Sequence, residues 1–419
     1  MKATTWNTAR CNFCATLALA LATGLALAPM ARAQTYTVLY NFAGPTDGTN
    51  PLAGLTMDHA GNLYGTTSAG AGGGWGSVYR LVRSGSNWTF GLLYTFRGYE
   101  GNDAGAPYSR VTIGPDGALY GATHSGGNGQ GCRELHGCGT VYKVEPNSGG
   151  IFSPWQETVL YQFGTYDGSD PLYGDVVFDQ AGNLYGATRD GGAYLLGAVY
   201  ELTPNNGSWS ESVVHSFSGP DGSTPLTGPA VDQYGNLYGT TSAGGTSGWG
   251  AVYQLAPSSS TWVENVLHSF QNGNVGVTPT SSVILDQVGN LYGATQSGGT
   301  GGGGTAFELT PVGGGSWNIA TLYGFTGSSF GGSYRTLAMD SAGNLYGTAA
   351  ADGANKRGSV FRLTWSNGTW IHTTLYDFTG NGDGGYPYGS LILDGFGNIY
   401  GTASAGGAYG NGVVFQITP

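Results

Sequence analysis

Few residues in this sequence can do chemistry: among 419 residues there are 14 lysines and arginines, 25 aspartates and glutamates, and six histidines. The densest group is a single run holding His124, Cys132, Arg133, Glu134, His136 and Cys138. His136 and Glu134 are of the types that act as general acid or base, and at the lip of an opening they would face a substrate. The same run reads more simply, and by preference, as a surface loop pinned by a Cys132–Cys138 disulfide, which in an exported chain would contribute about 2 kcal/mol by closing so short a loop. Two cysteines around one histidine do not make a four-ligand zinc set. The other histidines disperse: His215 and His268 replace a recurrent tyrosine (Tyr40, Tyr94, Tyr161, Tyr323, Tyr376), His59 falls in a turn, and His372 on a strand. No Ser-His-Asp set, metal site or cofactor motif assembles from them.

Aromatic side chains give the best binding signal. Trp75 and Trp249 each precede a glycine in a Gly-rich connector, and Tyr194 and Tyr409 occupy the same connector elsewhere; Tyr99, Tyr108, Tyr166, Tyr173, Tyr334, Tyr386 and Tyr388 lie in or near a second set of connectors. Exposed rings among few charges suit the apolar C–H faces of sugars, and rings laid over glycines equally seal a protein surface. Arg110 and Arg335 stand where most repeats carry small residues, and either bind an acidic group or pair with a nearby carboxylate. Asp58, Asp179, Asp232, Asp286, Asp340 and Asp394 each precede a Gly-Asn-type turn by three residues, where a carboxylate fixes the turn. Asp47, Asp103, Asp167, Asp221 and Asp383 recur in the second connectors without the dense acidic loop of a strong calcium site.

What positions these residues is a repeat. A GNLYG-type segment has its first glycine at 61, 117, 182, 235, 289, 343 and 397. Each unit holds four short runs bounded by Gly, Asn, Asp and Pro, as at Leu55 to Asp58, Leu63-Tyr64, Val78 to Leu81 and Val159 to Phe163, and none has helical periodicity. Seven four-stranded units predict an all-β, seven-bladed propeller. The chain after residue 33 begins with a fourth-type strand (Thr35 to Phe42) and ends with a third-type strand (Val413 to Ile417), so the N-terminal strand is expected to complete the last blade and close the ring. Trp88, Trp155, Trp209, Trp262, Trp317 and Trp370 mark the six connections from third to fourth strand that such closure leaves. In a meandering blade the Gly-rich connector and the inter-blade connector emerge on one face. From the last glycine of GNLYG to that of the third strand the offset is 11 residues in six blades, and 18 in the second, from Gly121 to Gly139.

Composition fits this reading: 79 glycines and 17 prolines punctuate a chain with 13% aromatic and only 9% charged residues. Lys2 and Arg10, the apolar run Ala15 to Ala28, and Ala31-Arg32-Ala33 predict a signal peptide over residues 1–33, and a single propeller domain over 34–419. Cleavage near Ala33 removes three basic residues, so 14 − 3 = 11 face 25 acidic ones, for 11 − 25 = −14. Nucleic acid and anionic membranes are poor partners for that balance, and no second stretch is apolar enough to insert in a bilayer. The expectation is a secreted, periplasmic or cell-surface monomer.

The GNLYGTTSAGG, GTVYKV and TVLYxF elements with their DGxxP turn resemble the GloVer tandem-repeat proteins of bacteria, from about Thr35 to Thr418. The resemblance implies export and a repeat β-structure, often followed by a C-terminal surface anchor; no such segment follows the seventh repeat here. It supplies no catalytic residues. Function is therefore expected to be non-enzymatic binding or scaffolding outside the cell, with a polysaccharide or a surface protein as partner and carbohydrate recognition by the connector face as the sharpest form. Trp75, Trp249, Tyr194, Tyr409, Arg110, Arg335 and His136 are its candidate contacts. The alternatives are a propeller polysaccharide lyase or glycoside hydrolase, built from Arg110, His124, Glu134, His136 and Arg335, and a purely structural matrix protein.

Overall fold

A computed structural model describes residues 34–98, 103–127, 132, 137–147, 155–259, 261–326 and 337–419. These form seven antiparallel blades of four strands each, those of a β-propeller; the fifth carries an added strand, Val277–Pro279, a separate two-stranded ribbon pairs Ala104–Gly105 with Ser125–Gly126, and no helix is found among the described residues. The first blade runs Thr56–Met57, Leu63–Thr67, Ser77–Ser84, Asn87–Thr95 from inner to outer strand. The inner strands are shorter than the sequence suggests, two residues each in six of the blades beyond the first, because the preceding residues are drawn into the connector face. In the seventh blade the outer strand is Thr35–Asn41, paired antiparallel with Val413–Thr418, so the ring closes as expected from the strand types at the two ends.

Two sequence features build each blade. The tip of a ring from the third strand reaches the glycine in the second: a Cβ on Gly65 would sit 2.4 Å from the Tyr79 hydroxyl, and one on Gly347 2.5 Å from Phe361 Cζ. Only glycine leaves that space, and the same ring fills the core beside it. Between third and outer strands the register slips at one recurrent point, as at Val78/Tyr79 and Val252/Tyr253, a β-bulge that increases the local twist. Seven buried apolar clusters, one per junction between neighbouring blades, carry the core. The recurrent tryptophans open the outer strands and reach across these junctions: Trp88 packs edge-on to Tyr400 of blade seven, and Trp209 to Tyr120 of blade two.

The recurrent aspartates are turn locks. Asp58 accepts from the backbone N–H groups of Ala60 and Asn62, the Asn62 amide and the Tyr64 hydroxyl, and Asp340 repeats the set. Asp47, Asp103, Asp167 and Asp383 each take the hydroxyl of the outer-strand tyrosine of the blade before, and Asp221 faces His215 in the same way.

Candidate functional site

Both connector types meet on one face. The inter-blade connector pairs with the Gly-rich connector of the blade it enters, at Thr49 with Ala69, Ser169 with Asp190, Ser223 with Ala243 and Gly385 with Ala405. One residue then bridges back to the preceding blade. Asn50, Ala106, Asp170, Thr224, Thr278 and Tyr386 all have φ between 53° and 58°, and each directly precedes a proline. Their N–H groups donate to Asn411, Trp75, Cys138, Leu196, Trp249 and Arg357, the Gly-rich connectors of the blades before. A left-handed non-glycine residue costs about 1–2 kcal/mol, and here two blades clamp each one in place.

At two of the six positions the strained residue carries chemistry. Asp170 is buried and holds three groups: the Nδ1 of His124 in a short contact, and Arg189 Nη2 at 2.9 Å, while its backbone N–H donates to the Cys138 carbonyl. A carboxylate only accepts, so the proton between them belongs to His124 Nδ1, which donates to Asp170. Arg189 is held further by Asp190 at 2.8 Å. Burial alone would lower the Arg189 pKa, but the bond to Asp190 and the charges of Asp170 and Asp190 outweigh it and raise it. The Tyr108 ring stands edge-on to His124, at 5.5 Å, and to Tyr173, at 5.9 Å. Tyr108 is pushed up by burial, then by Tyr173 and Asp170, so it is a phenol and a hydrogen-bond donor at neutral pH.

Across the opening, Tyr386 stacks on Tyr388 with planes 12° apart, and its hydroxyl accepts from the Arg357 guanidinium in a short contact. Burial raises the Tyr388 pKa, and Tyr386 and Tyr173 raise it further. Tyr173 follows blade two and Tyr388 enters blade seven, so their mutual influence spans the mouth. The result is a group of four half-buried phenols with the half-buried His124 and Arg189 and the exposed Arg357, contributed by blades two, three, six and seven.

The expected contact residues are distributed differently. Trp75 is half-buried and lies over glycines, since a Cβ on Gly98 would fall 2.4 Å from its ring. Trp249, Tyr194 and Tyr409 are exposed by 44%, 61% and 65%. Arg110 pairs with Asp175 at 2.8 Å, and Asp175 also takes its backbone N–H. Cys132 and Cys138 form the disulfide. His136, Glu134, Arg133 and Arg335 lie outside the described residues, as do Tyr99 and Tyr334. Sequence reasoning named His124, Tyr108, Tyr173, Tyr386 and Tyr388 but did not join them. The missed partners are Asp170, Arg189 and Arg357; the Asp-Pro at 170–171, where other repeats have Asn, Ala, Thr or Tyr before the proline, was the available signal.

The profile of the Gloeobacter/Verrucomicrobia repeat matches residues 27–234 and 227–419. The chain belongs to this repeat family. No curated protein matches it. Among solved structures, a family PL25 polysaccharide lyase, an ulvan lyase, is similar both alone and bound to -[GlcA(1-4)Rha3S]-; each is 11% identical with a TM-score of 0.54, over 90% of this chain and 95% of the lyase. A protein of unknown function from Dyadobacter fermentans is 13% identical with a TM-score of 0.45, over 92% of this chain and 98% of that one. At such identities the likeness is one of fold.

Proposed function

We propose that this repeat protein is an exported propeller that binds a carbohydrate chain at its central mouth, with Tyr108, Tyr173, Tyr386 and Tyr388 as the principal contacts. The observation that carries the reading is their convergence across the opening from blades far apart in sequence. Phenol rings present flat faces to sugar C–H groups and donate O–H to their oxygens, and Tyr108 and Tyr388, whose pKa values burial raises, keep that proton. Trp249, Tyr194 and Tyr409 are placed to meet a longer chain on the outer part of the same face. The similar lyase, crystallised with an acidic disaccharide repeat, makes polysaccharides the first ligands to try. Affinity electrophoresis of residues 34–419 in gels containing neutral or acidic polysaccharides tests this. Retardation by at least one polysaccharide, lost in Tyr173→Ala, is the expected result; unchanged mobility throughout would sink the reading.

A second reading has its own observation, the His124–Asp170 pair beside Tyr108. Oriented by Asp170 through Nδ1, His124 would serve as general base through Nε2. In a uronate chain it would take the proton at C5 while the C4–O bond breaks and a C4=C5 double bond forms, the departing oxygen taking the Tyr108 proton. Ultraviolet absorbance of that unsaturated product, abolished by His124→Ala, distinguishes a lyase from a binding protein.

A further inference from the structure

Most arginines around the mouth are spent on carboxylates. Arg97 pairs with Asp103 at 3.1 Å, Arg110 with Asp175 at 2.8 Å, and Arg189 with Asp170 and Asp190 at 2.9 and 2.8 Å. Arg357 differs, for among the described residues it makes no ion pair. It is exposed, yet it is held in place: its guanidinium lies 5.4 Å from the Tyr386 ring centre and donates from Nη1 to the Tyr386 hydroxyl, and its carbonyl takes the Tyr386 N–H at 2.7 Å. Its aliphatic stem rests on Gly380, where a Cβ would come within 2.9 Å of Cγ and Cδ. Lys356 precedes it in the same exposed turn and also lacks an ion pair among the described residues.

A cation fixed by stacking rather than by an anion keeps its charge and its remaining N–H donors for something else. We propose that Arg357, seconded by Lys356, is an anion subsite at the edge of the mouth, receiving the carboxylate or sulfate ester of an acidic polysaccharide whose ring lies against Tyr386 and Tyr388. The inference rests on the mouth being the carbohydrate site, and adds the charge of its ligand. A guanidinium fork matches either oxyanion in bidentate fashion, which a lysine cannot do. The formal charge of residues 34–419, 11 − 25 = −14, opposes acidic ligands at long range, but salt confines that repulsion to about 8–10 Å, so the local cations decide specificity.

The test is calorimetric titration of residues 34–419 with three oligosaccharides of equal length: neutral, uronate-bearing and sulfated. With Arg357→Gln the expected result is about a tenfold or greater loss of affinity for the acidic oligosaccharide that binds and less than about twofold for the neutral one, a single charged bond being of that order. Arg357→Lys recovers only part of the loss. Whichever acidic arm is affected identifies carboxylate or sulfate as the group received. Binding of the neutral sugar with no preference for either acidic one, or a preference that survives Arg357→Gln, overturns the anion subsite and leaves the mouth reading standing. Absence of binding to all three overturns both. Unchanged thermal melting of the variants shows that they are folded.

Discussion

Tyr36 stacks face to face on Tyr376, with ring centres 3.9 Å apart and planes within 10°. Tyr36 lies on Thr35–Asn41, the outer strand of blade seven, and Tyr376 on the outer strand of blade six, so this stack fastens the closing blade to its neighbour. The same contact recurs at Tyr40 with Phe90, at 4.1 Å, and Tyr323 with His372, at 4.3 Å. Replacing Tyr36 by Ala removes the stack and the short bond from its hydroxyl to the Asp383 carbonyl. A loss of about 2–4 kcal/mol is expected. Equilibrium urea unfolding would show it as a lower midpoint with an unchanged slope.

At three other junctions a glutamate stands where the second ring would be. Glu157 faces Asp103, Glu211 faces Asp167 and Glu264 faces Asp221. Burial first, then the neighbouring aspartate, raises the pKa of all three, with Glu211 and Glu264 pushed up to about 7. Folded protein therefore holds these protons at pH values where the unfolded chain, near its ordinary 4.5, has released them. Their linkage term lowers stability as pH rises from about 4.5 to 7 and beyond. Melting curves in this range should show a falling midpoint, and the triple variant Glu157→Gln, Glu211→Gln, Glu264→Gln should flatten the slope. An equal slope in wild type and variant would assign the effect elsewhere.

The two tryptophans of the Gly-rich connectors should behave oppositely. Trp75→Ala strips the ring from Gly98 and Gly105 and opens the cluster between blades one and two, at a cost of about 2–4 kcal/mol. Trp249→Ala, at an exposed site, is expected to change stability by less than about 0.5 kcal/mol. Chemical denaturation of the two single variants makes the comparison.

Reduction of Cys132–Cys138 is expected to cost about 2 kcal/mol by releasing a short loop. Because the Cys138 carbonyl also receives the Asp170 N–H, reduction should loosen the His124 pair as well. Hydrogen exchange at the Asp170 amide, with and without reductant, reports that coupling; unaltered exchange would separate the loop from the site.

The architecture could be read from the chain because each blade repeats its own instructions: the glycine under Tyr79 or Phe361, the Asp58-type turn lock and the strand type at each end are local or periodic signals. Even the closing pair of Thr35–Asn41 with Val413–Thr418 followed from them. The mouth could not be read in this way. Tyr173 and Tyr388 sit in connectors that look alike along the sequence, and only ring closure makes them face each other. Asp170 likewise belongs to a different blade from His124, and its left-handed backbone before a proline is a conformation that composition does not announce. Burial of Trp75 against exposure of Trp249 depends on which neighbour supplies glycines, a fact of packing rather than of pattern.

Binding at the mouth is the central claim, and the most direct measurement titrates one bound oligosaccharide into wild type, Tyr173→Ala/Tyr388→Ala and Trp249→Ala/Tyr409→Ala. The mouth variant is expected to lose affinity by about tenfold or more, about 1.4 kcal/mol, while the rim variant keeps most of it. Wild-type affinity in the mouth variant, with the loss falling on the rim variant instead, would contradict the claim and move the site to the outer connectors.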